Sequence, residues 1–208
     1  MPSASFKKNF EPLVVCLIGG PASGKSSVLK AIRRSFSGDE VIIVREAASY
    51  LLHRGFPRPD GTDEKLWAFQ DAIIARQFRL EDAARARARR MKIPIVVCDR
   101  GMLDTAAYLK GGLPEFEGRY QMTSRDVYRR YDLVVELATV ATVPELYARD
   151  QKSSLHLSED IHKALQLAQK TSELWQQHPR HWHVDLKDTV EEKCAVVIGR
   201  LRNMIEKK

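Results

Sequence analysis

The sequence predicts a three-layer α/β domain with a mainly parallel five-stranded sheet, and three observations carry that prediction. Five short apolar runs, Leu13–Ile18, Val41–Val44, Ile93–Cys98, Leu133–Leu137 and Trp182–Val184, are nearly continuous rather than alternating, as strands covered on both faces require. Helix-period segments separate them, and strand alternating with helix builds a parallel sheet through right-handed crossovers. The 208 residues, 44% of them hydrophobic, fit a single domain over residues 1–208 with enough apolar material for one core.

The first run leads into "GGPASGKSS" and then a helical pattern over Lys25–Phe36. Residues Gly19–Ser26 match G-x-x-x-x-G-K-[ST] in the strand-to-helix context of a phosphate-binding P-loop, which refines the fold to that of a P-loop NTPase with the first strand central. Glycines let successive backbone N–H groups turn toward phosphate oxygens, and the helix N-terminus adds its dipole. Gly19, Gly20, Pro21, Ala22, Ser23, Gly24, Lys25, Ser26 and Ser27 are therefore the candidate nucleotide grip. Lys25 reaches the β- and γ-phosphates, and the Ser26 hydroxyl is a ligand for Mg²⁺.

In such sheets ligands bind beyond the carboxyl ends of the strands. The second run ends in "IIVREAAS", which sets Arg45 and Glu46 on that rim; Glu46 is a candidate base for an acceptor hydroxyl. The third ends in "IVVCDRG", which places Asp99 as the second Mg²⁺ ligand and Arg100 beside it as a cation for phosphates or an acidic substrate. A hydrolytic motor usually carries a glutamate where Arg100 stands, and no Asn-Lys-x-Asp guanine reader occurs in the chain. ATP is thus expected over GTP, and transfer over hydrolysis.

Between these strands the pattern predicts one long helix, Asp63–Met91, with an apolar face. Trp67 and Phe69 are either core or walls of an acceptor pocket. Its last turns hold "RARARR", Arg85–Arg90, read as a solvated helix end or as a contact for RNA or anionic lipid. Shorter helices are expected at Leu103–Leu109, Arg125–Arg130, Ser158–Gln177 and Val190–Glu206. Leu52–Thr62, Lys110–Ser124 and Asp150–Leu157 read as irregular. A lid is expected around residues 140–160, where Arg149 and Lys152 are cations for the charge of the transferring phosphoryl group.

The formal net charge of +7 suits anionic ligands without choosing among nucleotides, nucleic acid and other polyanions. Cys16, Cys98 and Cys194 lack metal-ligand spacing and read as reduced core thiols of a cytoplasmic protein. No stretch reaches the length of a membrane span or a signal peptide. The histidines at 178, 181 and 183 lack the partners of a tetrahedral site.

Taken in order, "GGPASGKSS", "REAAS", "WAFQDAIIARQ", "DRGMLDTAAY" and "YDLVVEL" resemble small P-loop proteins related to the ribosylnicotinamide kinase domain of the bacterial NAD regulator, a group described as AAA-type ATPase domains. More distantly they resemble deoxynucleoside kinases. The resemblance covers about Leu13–Leu137. It implies that Glu46 is the base, that Asp99 and Arg100 are the acid-arginine pair after the third strand, and that Gln70 or Gln77 pairs with a nucleobase. The sequence departs from those kinases in having "EAAS" where they have Glu-Pro and in lacking an arginine-rich lid. The function expected is ATP-dependent phosphoryl transfer to a hydroxyl of a small, nucleoside-like acceptor; the alternative is a nucleotide-sensing module with little turnover.

Overall fold

A computed structural model describes residues 10–147 and 161–208. Five strands, β1 (Leu13–Ile18), β2 (Val41–Val44), β3 (Ile95–Asp99), β4 (Leu133–Leu137) and β5 (His181–Val184), form one sheet in the order β2-β3-β1-β4-β5. Every pairing is parallel. The sheet is therefore wholly parallel, and the P-loop strand β1 is central.

Among the described residues the helices are α1 (Lys25–Ser35), α2 (Ala47–His53), α3 (Asp63–Met91), α4 (Gly112–Tyr120), α5 (Ser124–Tyr128), α6 (Ile161–Trp175) and α7 (Val190–Glu206), with 3-10 turns at Met102–Ala107 and Val140–Thr142 and a helical stretch at 144–147. Because alternate residues of a buried strand face opposite layers, β1 feeds two cores. Val15 and Leu17 pack with Val28, Ile32, Val197 and Leu201 of α1 and α7. Cys16 and Ile18 pack on the other face with Ile74 of α3, Phe116 of α4 and Trp175 of α6. Cys16, Cys98 and Cys194 are free and buried.

Several expected boundaries move. The helix expected at Leu103–Leu109 is a 3-10 turn, and the span expected to be irregular after Lys110 contains α4. Helix α4 starts behind Gly111, with Gly112 at φ +59°, and its Pro114 falls in the first turn, where a missing N–H costs nothing. Helix α2 also occupies the first residues of the stretch expected to be irregular from Leu52. Thr123 and Asp126 form a reciprocal capping box that fixes the start of α5.

Two tight junctions position the strand ends. Arg100, immediately after β3, has φ +71°, a left-handed conformation that a side chain adopts only under compensation. Its N–H donates to the Leu17 carbonyl at 3.0 Å and its carbonyl accepts from Gln77 Nε2 at 3.3 Å. At Gly101 an added Cβ would lie 2.5 Å from the Trp175 ring and 2.7 Å from Cys16 Sγ. Gly101→Ala is expected to destabilise the fold by about 1–3 kcal/mol through overpacking, lowering the thermal midpoint by several degrees. An unchanged midpoint in calorimetry would show that β3 and α6 are not packed through this contact.

Candidate functional site

The loop Gly19–Gly24 closes on itself by having each of its carbonyls tied from outside. Lys25 Nζ donates to the carbonyls of Gly19 and Gly20 at 2.5 and 3.1 Å, and to Ser23 Oγ at 3.2 Å. The Thr139 hydroxyl donates to the Pro21 carbonyl, and the Val140 N–H to that of Ala22 at 3.2 Å. Lys193 Nζ, from α7, donates to the Ser23 carbonyl at 3.2 Å and the Ala138 carbonyl at 2.9 Å. The Gly24 carbonyl accepts from Val28 N–H at 3.0 Å in the first turn of α1. Among the described residues, none of the N–H groups of Gly20, Ala22, Ser23 and Gly24 donates a hydrogen bond. Carbonyls turned out and amides left unbonded make an anion cradle.

The loop also needs its small residues. Gly19 has φ +144° and a Cβ there would meet the Leu137 carbonyl at 2.7 Å; one on Gly20 would meet Ala168 Cβ at 2.5 Å. The donor set fits a polyphosphate with a hard divalent cation: Ser26 and Ser27 are exposed at the helix start, and Ser26 and Asp99 line one cavity.

Asp99 and Lys25 are electrostatically poised. Burial, then the Glu46 charge, raises the Asp99 pKa to about 6. Burial, then the Arg100 charge, lowers the Lys25 pKa to about 7. A cation beside Asp99 and anionic oxygens beside Lys25 would each favour the charged form that the protein alone disfavours.

Glu46 is the N-cap of α2, yet its carboxylate makes no capping bond. It accepts instead from Arg100 Nε at 2.6 Å and from the Ser49 hydroxyl. Burial pushes its pKa up, but the Arg100 charge and these bonds prevail and hold it below the usual range. Arg100 also donates from Nη1 to Asp104 Oδ2 at 3.1 Å, so its guanidinium is committed to two carboxylates and serves Glu46 rather than standing free as a phosphate clamp.

Two cavities share Glu46 as a wall. One, about 460 Å³, is lined by Phe69, Gln70, Ile73, Met102, Thr105 and Tyr108, among others, with Arg100 at its floor. The other, about 870 Å³, runs past Ser26 and Asp99 along β2. Gln70 is buried and makes no hydrogen bond to another described residue, whereas Gln77 Nε2 is engaged by Glu81 at 2.9 Å and by Arg100. Arg45 is exposed at the rim of the larger cavity. Trp67 departs from the expected acceptor wall: it is exposed, donates from Nε1 to Glu115 at 2.6 Å and lies beneath Arg119, while Phe69 supplies the aromatic wall. Arg149 and Lys152 lie outside the described residues.

Sequence reasoning missed Lys193, Gln77's structural role and Glu81. Glu81 is fully buried and accepts from Gln77, from Tyr131 Oη at 2.7 Å and from Arg130 Nε at 3.1 Å. The helical i, i+4 spacing of Gln77 and Glu81 was the available signal. The histidines are occupied elsewhere: His178 bonds the carbonyls of Tyr128 and Tyr131, and His181 the buried Glu136 at 2.7 Å. Among the described residues no group of three or more His, Cys, Asp or Glu is placed to hold a metal, and no helix is long and apolar enough to cross a membrane.

Comparison with known proteins bears on the family and the fold. The AAA domain family matches residues 14–193. Deoxyadenosine kinase from M. mycoides, solved with its products dCMP and a flexible dCDP bound, shares the fold at a TM-score of 0.55, with 13% identity over 92% of this chain and 100% of that one. No curated protein matches the sequence.

The raised Asp99 pKa sets a stability window. Ionising Asp99 costs more in the folded chain than in the unfolded one, so stability present below about pH 4 is lost as pH rises through about 6. In nucleotide-free buffer with chelator, Asp99→Asn should stabilise the protein at pH 7 by roughly 1–3 kcal/mol and by nothing at pH 4. Equal effects at both pH values, measured by denaturant titration, would refute the desolvated carboxylate.

Proposed function

The chain belongs to the AAA domain family, and from that premise we propose that it transfers the γ-phosphoryl group of ATP to a hydroxyl of a small, nucleoside-like acceptor, with Mg²⁺ as cofactor. One observation carries this reading: Glu46 is the wall shared by the cavity that holds Ser26 and Asp99 and the cavity lined by Phe69 and Gln70. A carboxylate between a phosphate cradle and an apolar pocket with one unbonded amide is what in-line transfer to a ring-bearing alcohol needs.

In this reading the acceptor ring packs on Phe69 and meets the Gln70 amide. Its hydroxyl hydrogen-bonds Glu46, whose orientation is fixed by Arg100. The acceptor oxygen attacks the γ-phosphorus as the bond to the β,γ-bridging oxygen breaks, ADP departs with that electron pair, and the hydroxyl proton passes to Glu46. Because Arg100 keeps Glu46 weakly basic, proton transfer is late, which suits a loose transition state in which the nucleophile bears little positive charge. Lys25 and the loop amides meet charge on the phosphates. Ser26 and Asp99 would hold Mg²⁺, which supplies charge neutralisation on the phosphate oxygens. A further cavity of about 780 Å³ beside Gly20, walled by Thr139, Ala168 and Leu186, is suited to the donor's base.

Two variants separate donor grip from transfer. Lys25→Ala should abolish the thermal shift produced by Mg²⁺-ATP, since that shift follows occupancy. Glu46→Gln should keep the shift and lose about 10²–10⁴-fold in transfer. The substrate is sought by measuring ATP consumption against nucleosides, nucleotides and other small alcohols, with product mass determined for any hit. If no acceptor stimulates consumption above the water background, and Glu46→Gln leaves that background unchanged, the kinase reading fails and a nucleotide-sensing module replaces it.

A further inference from the structure

The larger cavity extends well beyond what the proposed transfer needs. From Ser26 and Asp99 it runs outward between α1 and α3 along the open edge of β2, the outer strand of the sheet on that side. Its outer walls carry Arg33 from α1, Arg45 after β2, Tyr50 and His53 from α2, and Arg76 and Arg87 from α3. Among the described residues, none of these four arginines has a carboxylate within ion-pair distance, whereas Arg89 pairs with Glu11, Arg119 with Asp71, and Arg130 with Glu81 and Asp82. Four arginines without a carboxylate partner thus line this one groove.

Three details narrow the ligand. The Arg76 guanidinium lies 3.3 Å from the centre of the Tyr50 ring, and its Nε is buried without a hydrogen-bond partner. Tyr50 is itself 37% exposed, with Arg54 also 5.5 Å from the centre of its ring, so the cluster offers a partly exposed aromatic surface flanked by two cations. Arg76 and Arg87 are eleven residues apart on α3, which puts them about 16 Å apart along the helix axis. That is longer than a single phosphate and matches a chain of them. Arginine is also the residue best suited to phosphate oxygens, through its planar fork.

We propose that this groove binds a single-stranded oligonucleotide, with phosphates along Arg76, Arg87, Arg33 and Arg45, a base stacked on Tyr50, and the strand end directed toward Glu46 and Asp99. Binding in the groove is independent of the transfer reading. Presentation of the terminal hydroxyl as the phosphoryl acceptor rests on it. An acidic peptide added to the β2 edge is the competing occupant, but it leaves the Tyr50 face without a role.

The test uses a mixed-sequence hexanucleotide with a 5′-hydroxyl and a 3′ fluorophore, followed by anisotropy on the full chain carrying Lys25→Ala, so that the P-loop does not compete for phosphate. Binding is expected to weaken with salt at about 0.7 log units of affinity per log unit of salt for each phosphate met. Arg76→Gln with Arg87→Gln should lower affinity tenfold or more and reduce that slope by about 1.4, while Arg90→Gln, outside the groove, should change neither. Tyr50→Ala should weaken the strand but not inorganic polyphosphate of equal charge. The proposal is overturned if the strand does not bind, if the double variant binds like its parent, or if polyglutamate competes as well as the unlabelled strand. Retained binding with no phosphate transfer to the strand by the chain with Lys25 intact would overturn the presentation of its terminal hydroxyl as acceptor and leave the groove standing.

Discussion

The ion pair between Arg100 and Glu46, 2.6 Å across two strand ends, is the constraint on which the rest of the site depends. Arg100 leaves β3 in a left-handed conformation, and that turn aims its guanidinium across the rim toward the residue that begins α2. Holding the turn takes contributions from several layers. Glu81 of α3 fixes Gln77, Gln77 holds the Arg100 carbonyl, and Asp104, itself bonded by Trp175 Nε1 at 2.8 Å, receives the other edge of the guanidinium. Buried charges of this kind contribute little net stability when complete, and cost several kcal/mol when one partner is removed. Their value here is position: a carboxylate whose orientation is decided by the core.

The phosphate loop is held in the same manner, by groups outside it. Its left-handed Ala22, at φ +56°, and its glycines describe a backbone that isolated chain would not favour. Lys193 is the most telling of the restraints. It is buried, its pKa is lowered by loss of solvent, and its ammonium donates to two carbonyls rather than to an acid. A cation in that place tightens the link between the loop and the end of β4 and adds positive potential beneath the cradle. The loop geometry is therefore set before any phosphate arrives, which reduces the ordering that binding requires.

How much of this was legible follows from what each feature needs. The strands, the strand-loop-helix of the P-loop and the 29-residue helix α3 depend on local pattern, and each lies where expected, α3 to the residue, with β3 shifted from Ile93–Cys98 to Ile95–Asp99 and β5 beginning one residue early at His181. Helices α2 and α4 were missed because Gly55, Pro57, Pro59 and Gly61 follow one, and Gly111, Gly112 and Pro114 begin the other; local breakers at helix ends are indistinguishable from loop composition without the cap geometry. The run Arg85–Arg90 looked like one basic patch because sequence does not show the 100° turn between neighbours. In space it disperses: Arg85 donates to the Arg130 carbonyl, Arg89 pairs with Glu11, and Arg87 lines the groove. Lys193 and Arg76 had no motif to announce them, since their roles come from elements far apart in the chain.

The distribution of charge among the two rim carboxylates gives the site a direction. Arg100 could have paired with Asp99, its neighbour in sequence, but the left-handed turn sends it to Glu46 instead. Glu46 is thereby kept ionised and weakly basic, and Asp99 is left desolvated beside a like charge. The electrostatic cost of the folded site accumulates at Asp99, where the proposed divalent cation would relieve it, not at Glu46, the proposed acceptor-side base. Exchanging those roles would give a metal-side acid already paired with an arginine and an acceptor-side acid with no guanidinium to orient it. The left-handed turn at Arg100 thus sets the two rim carboxylates apart, one paired with a guanidinium and one left desolvated.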